Sequence, residues 1–313
     1  MKAILLEQAG SVENLIAKEI EKPMPGDNEV LVAVKAISVN PVDYKVRANE
    51  DVLKMIYGEQ KPVVLGWDIA GTVIAVGNKV TQFKIDDRVF GMVNFPGAAN
   101  AYAELVAAPQ DHLAKIPSTV SFEDAAATTL AALTALQVLQ PRIKKNDRVL
   151  IHSGSGGVGH FAIQIAKSMG AYVITTSSAK NKDFVIALGA NEHIDYRAQA
   201  FQDVVSDVDF VFDMFNGEIL LHSVKVVKDG GSIVSIPTPV FSKEVLDLAK
   251  TRNVSISNLM VHSNGNDMNT LKALLENGAV KPHVSQTFPF DEMAKAHQQL
   301  EGGRTIGKVI VTL

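Results

Sequence analysis

Arg148-Val149-Leu150-Ile151-His152-Ser153-Gly154-Ser155-Gly156-Gly157-Val158-Gly159-His160-Phe161-Ala162-Ile163-Gln164-Ile165-Ala166-Lys167 reads as strand, glycine turn and helix in immediate succession. Val149, Leu150 and Ile151 form the short apolar run of a strand buried on both faces. Beyond the turn, Val158, Phe161, Ala162, Ile165, Ala166 and Met169 recur at the spacing of one helix face. Between them stands Gly154-x-Gly156-x-x-Gly159. The first glycine allows a tight turn, the second lets backbone approach a pyrophosphate, and the third lets helix and strand pack closely, with the phosphates at the helix N-terminus. A glycine-rich connection without a ligand shares the pattern, but the strand before it and the helix after it are the context that dinucleotide binding requires.

Outward from the turn, the chain alternates. Strands are expected at 172–176, 193–195, 209–213 and 232–236, with helices at 183–188, 218–227 and 242–250, which gives a parallel sheet with right-handed crossovers, a Rossmann domain. Upstream, the β-like runs 2–6, 29–38, 69–76, 88–92 and 101–107 are separated by Pro23-Met24-Pro25-Gly26-Asp27, Gly77-Asn78 and Pro96-Gly97, the punctuation of a small β-rich domain. Ser121-Phe122-Glu123-Asp124 resembles a helix cap before one alanine-rich helix over 125–139, which Pro141 ends. Helices at 268–276 and 291–300 and a closing strand at 307–312 complete the reading, the strand expected to return to the first domain.

Composition narrows the function. The 313 residues are 47% hydrophobic and 20% charged, ordinary for a globular chain long enough for two cores. Thirty Lys plus Arg face 34 Asp plus Glu, with no basic run, which argues against nucleic acid as the main partner. The absence of cysteine removes disulfides, thiolate nucleophiles and Cys-ligated metal sites. No segment reaches membrane-spanning length and the start lacks a signal-like apolar core, so a soluble cytoplasmic protein is expected.

Four stretches together carry a resemblance: Ser38-Val39-Asn40-Pro41-Val42-Asp43-Tyr44-Lys45, Leu65-Gly66-Trp67-Asp68-Ile69-Ala70-Gly71, Ser153 to Gly159, and Gly302-Gly303-Arg304-Thr305-Ile306-Gly307-Lys308. In this order they resemble the zinc-independent quinone oxidoreductase and enone reductase branch of the medium-chain dehydrogenase/reductase superfamily, over nearly the whole chain. The resemblance implies an α/β chain with a discontinuous GroES-like catalytic domain, 1–122 and 260–313, and an inserted Rossmann NADP-binding domain, 123–259. Zinc-dependent relatives place a Cys near Asn40 and a His near Trp67. This chain has neither, and its eight histidines are dispersed, so no metal is expected and the histidines read as surface or satisfied core groups.

Where an NAD-preferring site carries an acid about 20 residues past the glycines, this chain has Thr176-Ser177-Ser178. Hydroxyls donate to a 2′-phosphate that a carboxylate would repel, and Lys180 or Lys182 adds charge, so NADPH is expected as cofactor. By resemblance Tyr196 lies beside the adenosine phosphate, Arg197 adds charge, and Asn40 sits near the nicotinamide ribose. Thr129 and Ile236 join Gly154, Ser155, Gly156, Gly157, Val158 and Gly159 in the expected cofactor set. The lysines also read as solvated helix residues, and Tyr196 as a strand-end packing group.

Reduction of an α,β-unsaturated carbonyl puts charge on the carbonyl oxygen, which needs a donor. By resemblance the segment after Asn40 lines the substrate cleft, which nominates Lys45 for electrophilic support and Tyr44 for positioning or proton relay. An exposed lysine and a half-buried tyrosine are equally ordinary readings. Trp67 and Phe95 are candidate walls for an apolar planar substrate, with a core role open for Trp67. Met214-Phe215-Asn216-Gly217 stands where relatives carry smaller residues, and the Asn94 to Asn100 loop is compact, so pocket size stays open. The expected function is NADPH-dependent reduction of quinones or conjugated enones and enals by a homodimer; the alternative is an NADPH-binding redox sensor, structural protein or adaptor without important turnover. Because Asn40 and Trp67 replace the metal ligands, exhaustive chelation should leave reductase activity unchanged. Stoichiometric zinc whose removal abolishes activity and whose return restores it would contradict this.

Overall fold

The computed structural model describes residues 1–237 and 239–313. Strands β1 (Lys2–Leu6) and β2 (Leu15–Glu19) pair antiparallel, and the long β3 (Glu29–Val39) follows. Next come α1 (Pro41–Ala48), α2 (Glu50–Tyr57), β4 (Val63–Val64), β5 (Asp68–Val76), β6 (Arg88–Met92), β7 (Leu105–Pro109) and β8 (Leu113–Lys115). Helices α3 (Phe122–Ala127) and α4 (Leu130–Leu139) lead to β9 (Arg148–Ile151), α5 (Gly159–Ser168), β10 (Tyr172–Ser177), α6 (Lys182–Ala187) and β11 (Glu192–Asp195). Then follow β12 (Val208–Asp213), α7 (Gly217–Val226), β13 (Val227–Ser235), α8 (Lys243–Thr251) and β14 (Ser255–Asn258). Helix α9 (Gly265–Glu276), β15 (Val284–Pro289), α10 (Met293–Glu301) and β16 (Lys308–Thr312) close the chain.

The chain divides into two compact units, 1–133 with 261–313, and 134–260. In the first, one sheet has the order β15-β16-β3-β5-β6-β8 with β7 also on β3, and a smaller sheet has the order β2-β1-β4. The closing strand lies antiparallel on β3, Val309 opposite Val39 and Thr312 opposite Ala36.

The second unit holds a six-stranded sheet, β11-β10-β9-β12-β13-β14, parallel throughout. Its first strand is central: the chain winds outward through β10 and β11, then returns to the other side of β9 through β12, β13 and β14. That reversal is the topological switch point of a doubly wound fold. Strands on both sides and helices on both faces bury Val149, Leu150 and Ile151 of β9 completely, which is why these three form an unbroken apolar run. Leu150, Ile174, Val211 and Ile233 pack with Leu220 and Val224 of α7 and Val245 and Ala249 of α8. Each larger side chain there contributes roughly 1.5 to 3 kcal/mol by leaving water.

The single helix expected over 125–139 is two. Thr128 Oγ1 donates to Asp124 O at 2.8 Å and Thr129 Oγ1 to Ala126 O at 2.6 Å, so hydroxyls compete for carbonyls that a continuing helix would use. The Leu130 N–H turns instead to Asp68 Oδ1 at 3.1 Å. The strand expected over 101–107 starts only at Leu105, the preceding residues making an isolated bridge between Ala103 and Ala3. Pro41 opens α1, where its fixed φ suits a first turn, and Asn49 caps α2 by accepting from Asp51 N and Val52 N.

At the glycine turn the left-handed residue is Ser153, φ 54°, rather than Gly154. Gly154 is required by contact instead, since a Cβ there would stand 2.0 Å from Thr175 Oγ1. A Cβ on Gly159 would meet Ser153 O at 2.1 Å and Gly154 Cα at 2.8 Å, both backbone atoms that cannot rotate away. On Gly156 it would meet Ser153 Oγ at 2.9 Å, a group that can turn aside. Gly159→Ala is therefore expected to cost about 1 to 3 kcal/mol of stability, and Gly156→Ala distinctly less. Thermal denaturation of the two variants side by side checks the order.

Candidate functional site

The turn sits at the C-terminal end of β9, at the switch point. Gly154 and Gly159 are buried, while Ser155, Gly156, Gly157 and Val158 are half-exposed and form its outer surface. Helix α5 starts at Gly159 with no side-chain cap, which leaves its N-terminal dipole for an anion. Two buried histidines brace the turn. His160 Nδ1 donates to Gly156 O at 2.9 Å. His152 Nδ1 lies 3.2 Å from Thr176 Oγ1 and Nε2 lies 3.0 Å from Ser223 Oγ, whose proton goes to Ile219 O at 2.7 Å. Ser223 can then only accept, so His152 carries its proton on Nε2 and accepts from Thr176. Burial holds the His152 imidazole neutral, pushing it down to about 3.

Beside the turn, β10 ends at Ser177 and Ser178 follows it, both buried. Asn181 Nδ2 donates to Ser155 Oγ at 2.8 Å, tying the segment after β10 to the glycine turn. Ser177 Oγ lies 2.8 Å from His193 Nε2, and Tyr196 N donates to Ser177 O at 3.3 Å. Lys180 is exposed; Tyr196 is 57% exposed, with the Arg197 guanidinium 5.6 Å from its ring centroid. On the other side of β9, Asp213 accepts from Phe215 N, Asn216 N and Ser235 Oγ, at 3.2, 2.9 and 2.6 Å, and so shapes the Met214 to Gly217 turn. Burial raises its carboxyl. Ile236 N donates to Asp213 O at 3.2 Å. A turn closed to any Cβ at two glycines, an uncapped helix start and adjoining hydroxyls fit a dinucleotide.

In the first unit, Asn40 is 1% exposed and its amide is committed on every side. Nδ2 donates to Asp68 Oδ2 at 2.8 Å and Ser38 O at 3.3 Å, and Oδ1 accepts from Lys308 Nζ. Its backbone N–H donates to Asp43 Oδ2 at 2.5 Å. Thr129, fully buried, faces the same Asp68. Tyr44 is half-buried and Lys45 exposed on α1. Trp67 is fully buried: its indole N–H donates to Gly97 O at 2.7 Å, and its ring meets Phe95 edge to face at 5.2 Å. It thereby fixes the Asn94 to Asn100 loop, and Phe95 is the more exposed of the pair at 8%.

Two buried carboxyls and one ammonium share this core. Burial, helped by the Asp68 charge, pushes the Asp43 carboxyl up to about 7. Burial also raises Asp68, to about 6, while Lys308 and the Asn40 and Leu130 N–H donors pull it back. Burial lowers the Lys308 ammonium and the two carboxyls hold it up. Farther out, Tyr102 Oη lies 3.0 Å from His297 Nε2, and Arg47 joins His297 to Glu301.

Residues 26–118 match the alcohol dehydrogenase GroES-like domain family and residues 188–311 the zinc-binding dehydrogenase family. The chain is 33% identical to a 2-methylene-furan-3-one reductase of Solanum lycopersicum, over 99% of this chain and 79% of that one. It is 31% identical to an NADPH-dependent alkenal/one oxidoreductase, chloroplastic, of Arabidopsis thaliana, again over 99% and 79%. The solved quinone oxidoreductase of Coxiella burnetii superposes with a TM-score of 0.93 at 36% identity, covering 100% of this chain and 99% of that one. The chain belongs to the quinone oxidoreductase and enone reductase branch of the medium-chain dehydrogenase/reductase superfamily. It is a zinc-independent member: Asn40 and Trp67 present an amide spent on Lys308 and Asp68 and an indole spent on Gly97, neither a thiolate nor an imidazole.

Several groups that shape this reductase's candidate site had no role in the sequence reading. Asp43, Asp68 and Lys308 lie inside the motifs that carry the resemblance and His152 immediately precedes one, and a buried charge in an otherwise apolar strand such as 68–76 is the signal that could have found Asp68. Nothing local marks Asn181, His193 or Asp213. The core also fixes a pH dependence. A folded-state pKa raised above the ordinary 3.8 means that Asp43 stabilises the fold fully below about pH 4 and loses that contribution as pH rises through about 7. The slope is at most about 1.4 kcal/mol per pH unit. Asp43→Asn, permanently neutral and still able to accept from Asn40 N, should flatten the decline in melting temperature between pH 5 and 8.

Proposed function

We propose that the protein is an NADPH-dependent oxidoreductase that reduces quinones or α,β-unsaturated carbonyls by hydride transfer. The observation that carries this reading is the glycine turn at the switch point beside a β10 that ends at Ser177 and is followed by Ser178, with no carboxylate at either position. The names of the relatives support both substrate classes, and one names NADPH. Ser177, Ser178, Lys180 and Tyr196 are the groups proposed for the 2′-phosphate. Gly154 to Gly159 would hold the pyrophosphate, with Thr129, Ile236 and Asn40 assigned to the rest of the cofactor. Because both Asn40 donors and its oxygen already have partners, its role is to shape that wall more than to bind by itself.

When bound, the reduced nicotinamide supplies the hydride. With an enone the hydride reaches the β-carbon, the π electrons move to the carbonyl oxygen, and a proton then completes the α-carbon. Lys45 is assigned to the oxygen as charge develops, Tyr44 to positioning or proton relay, and Phe95, braced by Trp67, to the apolar wall. Assembly as a homodimer is supported by Val254-Ser255-Ile256-Ser257-Asn258-Leu259, which alternates apolar and polar residues around β14, the edge of the parallel sheet. Light scattering across micromolar concentrations should give twice the chain mass, and a monomer throughout would contradict it.

Oxidation of NADPH and NADH with a quinone and an enone panel tests the function: turnover with neither acceptor class would overturn it. Lys45→Ala should lower enone turnover by about 100-fold, roughly 2.7 kcal/mol, with quinones affected less. Removing an exposed lysine should change stability by less than about 0.5 kcal/mol, so the melting temperature separates chemistry from folding. Full enone turnover in that variant would end the assignment.

A further inference from the structure

We propose that His193 is a specificity-determining positioning residue for the adenosine 2′-phosphate, acting through the Ser177 hydroxyl and taking up one proton from solvent as the phosphate binds. The inference rests on the reading of Ser177, Ser178, Lys180 and Tyr196 as the phosphate site. Ser177 Oγ lies 2.8 Å from His193 Nε2, while its other neighbour, Ser178 O, is 3.3 Å away. The two residues come from adjacent parallel strands: His193 pairs with Thr175 and Asp195 with Ser177. Ser177 is buried and His193 half-buried, so the contact is partly shielded from solvent.

The direction of this one bond decides what an anion meets. When the neutral ring carries its proton on Nδ1, Nε2 accepts the Ser177 proton, and Oγ turns only lone pairs toward a phosphate. When the ring takes up a second proton, on Nε2, the imidazolium donates to Oγ, and the Ser177 proton is released to the phosphate. Burial, and Lys182 on α6, favour the neutral ring; the Ser177 main chain and Asp195 on β11 favour the cation. In the absence of ligand the balance lies on the neutral side. A phosphate dianion adds two negative charges to that of Asp195 and tips it. A cofactor with a 2′-hydroxyl brings no such charge, so the device distinguishes the two nicotinamide cofactors by proton uptake as well as by affinity.

Calorimetric titration of the full chain with NADPH and NADH, in two buffers of different ionisation heat, between pH 6 and 8.5, tests this. Proton uptake is expected with NADPH and not with NADH. His193→Gln keeps a hydrogen-bonding partner for Ser177 but cannot titrate, and should abolish the uptake attributable to the protein; Ser177→Ala keeps the imidazole but breaks the link, and should lower NADPH affinity while leaving uptake in place. NADPH affinity should rise toward low pH in the wild type relative to His193→Gln, by up to tenfold for each unit by which the phosphate raises the imidazole pKa. The second ionisation of the phosphate itself, near about 6, is common to all variants and drops out of the difference. Equal uptake and superimposable pH profiles in the wild type and His193→Gln would overturn the proposal. A wild type that binds NADH as tightly as NADPH at every pH would overturn instead the phosphate-site reading beneath it.

Discussion

The candidate cofactor site depends on one close approach, α5 lying so near the end of β9 that no side-chain atom fits between Gly159 and the Ser153 carbonyl. This contact sets where the helix dipole points and leaves Ser155 to Val158 as the exposed rim of the turn. The surrounding groups maintain it. His160 ties its imidazole back to Gly156 O, and His152 links the end of β9 to Thr176 on β10 and Ser223 on α7. Asn181 brings the segment after β10 onto Ser155. Polar groups thus fix a geometry whose apolar support comes from the buried residues of the strands beneath, the arrangement by which function is grafted on a common scaffold.

The first unit solves a different problem. Where zinc-dependent relatives have ligands, this chain buries Asn40 and Trp67 and spends their polar atoms internally. Removing Asp43, Asp68 and Lys308 from water is costly, and the core offsets that cost by pairing opposite charges and meeting Asp68 with the Asn40 and Leu130 N–H groups. Burial, with the Asp68 charge second, leaves one proton on Asp43 up to about neutrality. The result holds Asn40 in a single amide orientation, because its oxygen faces an ammonium and its nitrogen a carboxylate.

What was legible in the sequence was local. The apolar run at Val149 to Ile151, the three spaced glycines and the helical periodicity after them each follow from a few neighbouring residues. The central position of β9 then made the strand signal clean, since burial on both faces permits no polar alternation. The helix expected over 125–139 breaks at one point: alanine favours continuation, but the hydroxyls of Thr128 and Thr129, and a carboxylate 62 residues upstream of Leu130, redirect the backbone. Helix propensity is a sum of small terms, and one tertiary hydrogen bond outweighs it.

By itself, then, the sequence determined the alternation of strand and helix, the glycine turn, the missing carboxylate after β10 and the missing metal ligands, all properties of residue type at fixed short spacing. Tertiary structure alone decided which distant groups meet: Lys308 with Asn40 across 268 positions, His193 with Ser177, Asn181 with Ser155. It also transferred the left-handed turn from Gly154 to Ser153 and gave Gly154 a packing role against Thr175. The physical reason is the same in each case. Hydrogen bonds and steric contacts act over about 3 to 4 Å, and strand order and register, which bring such atoms within that range, are set by burial of whole faces rather than by any residue's neighbours in the chain.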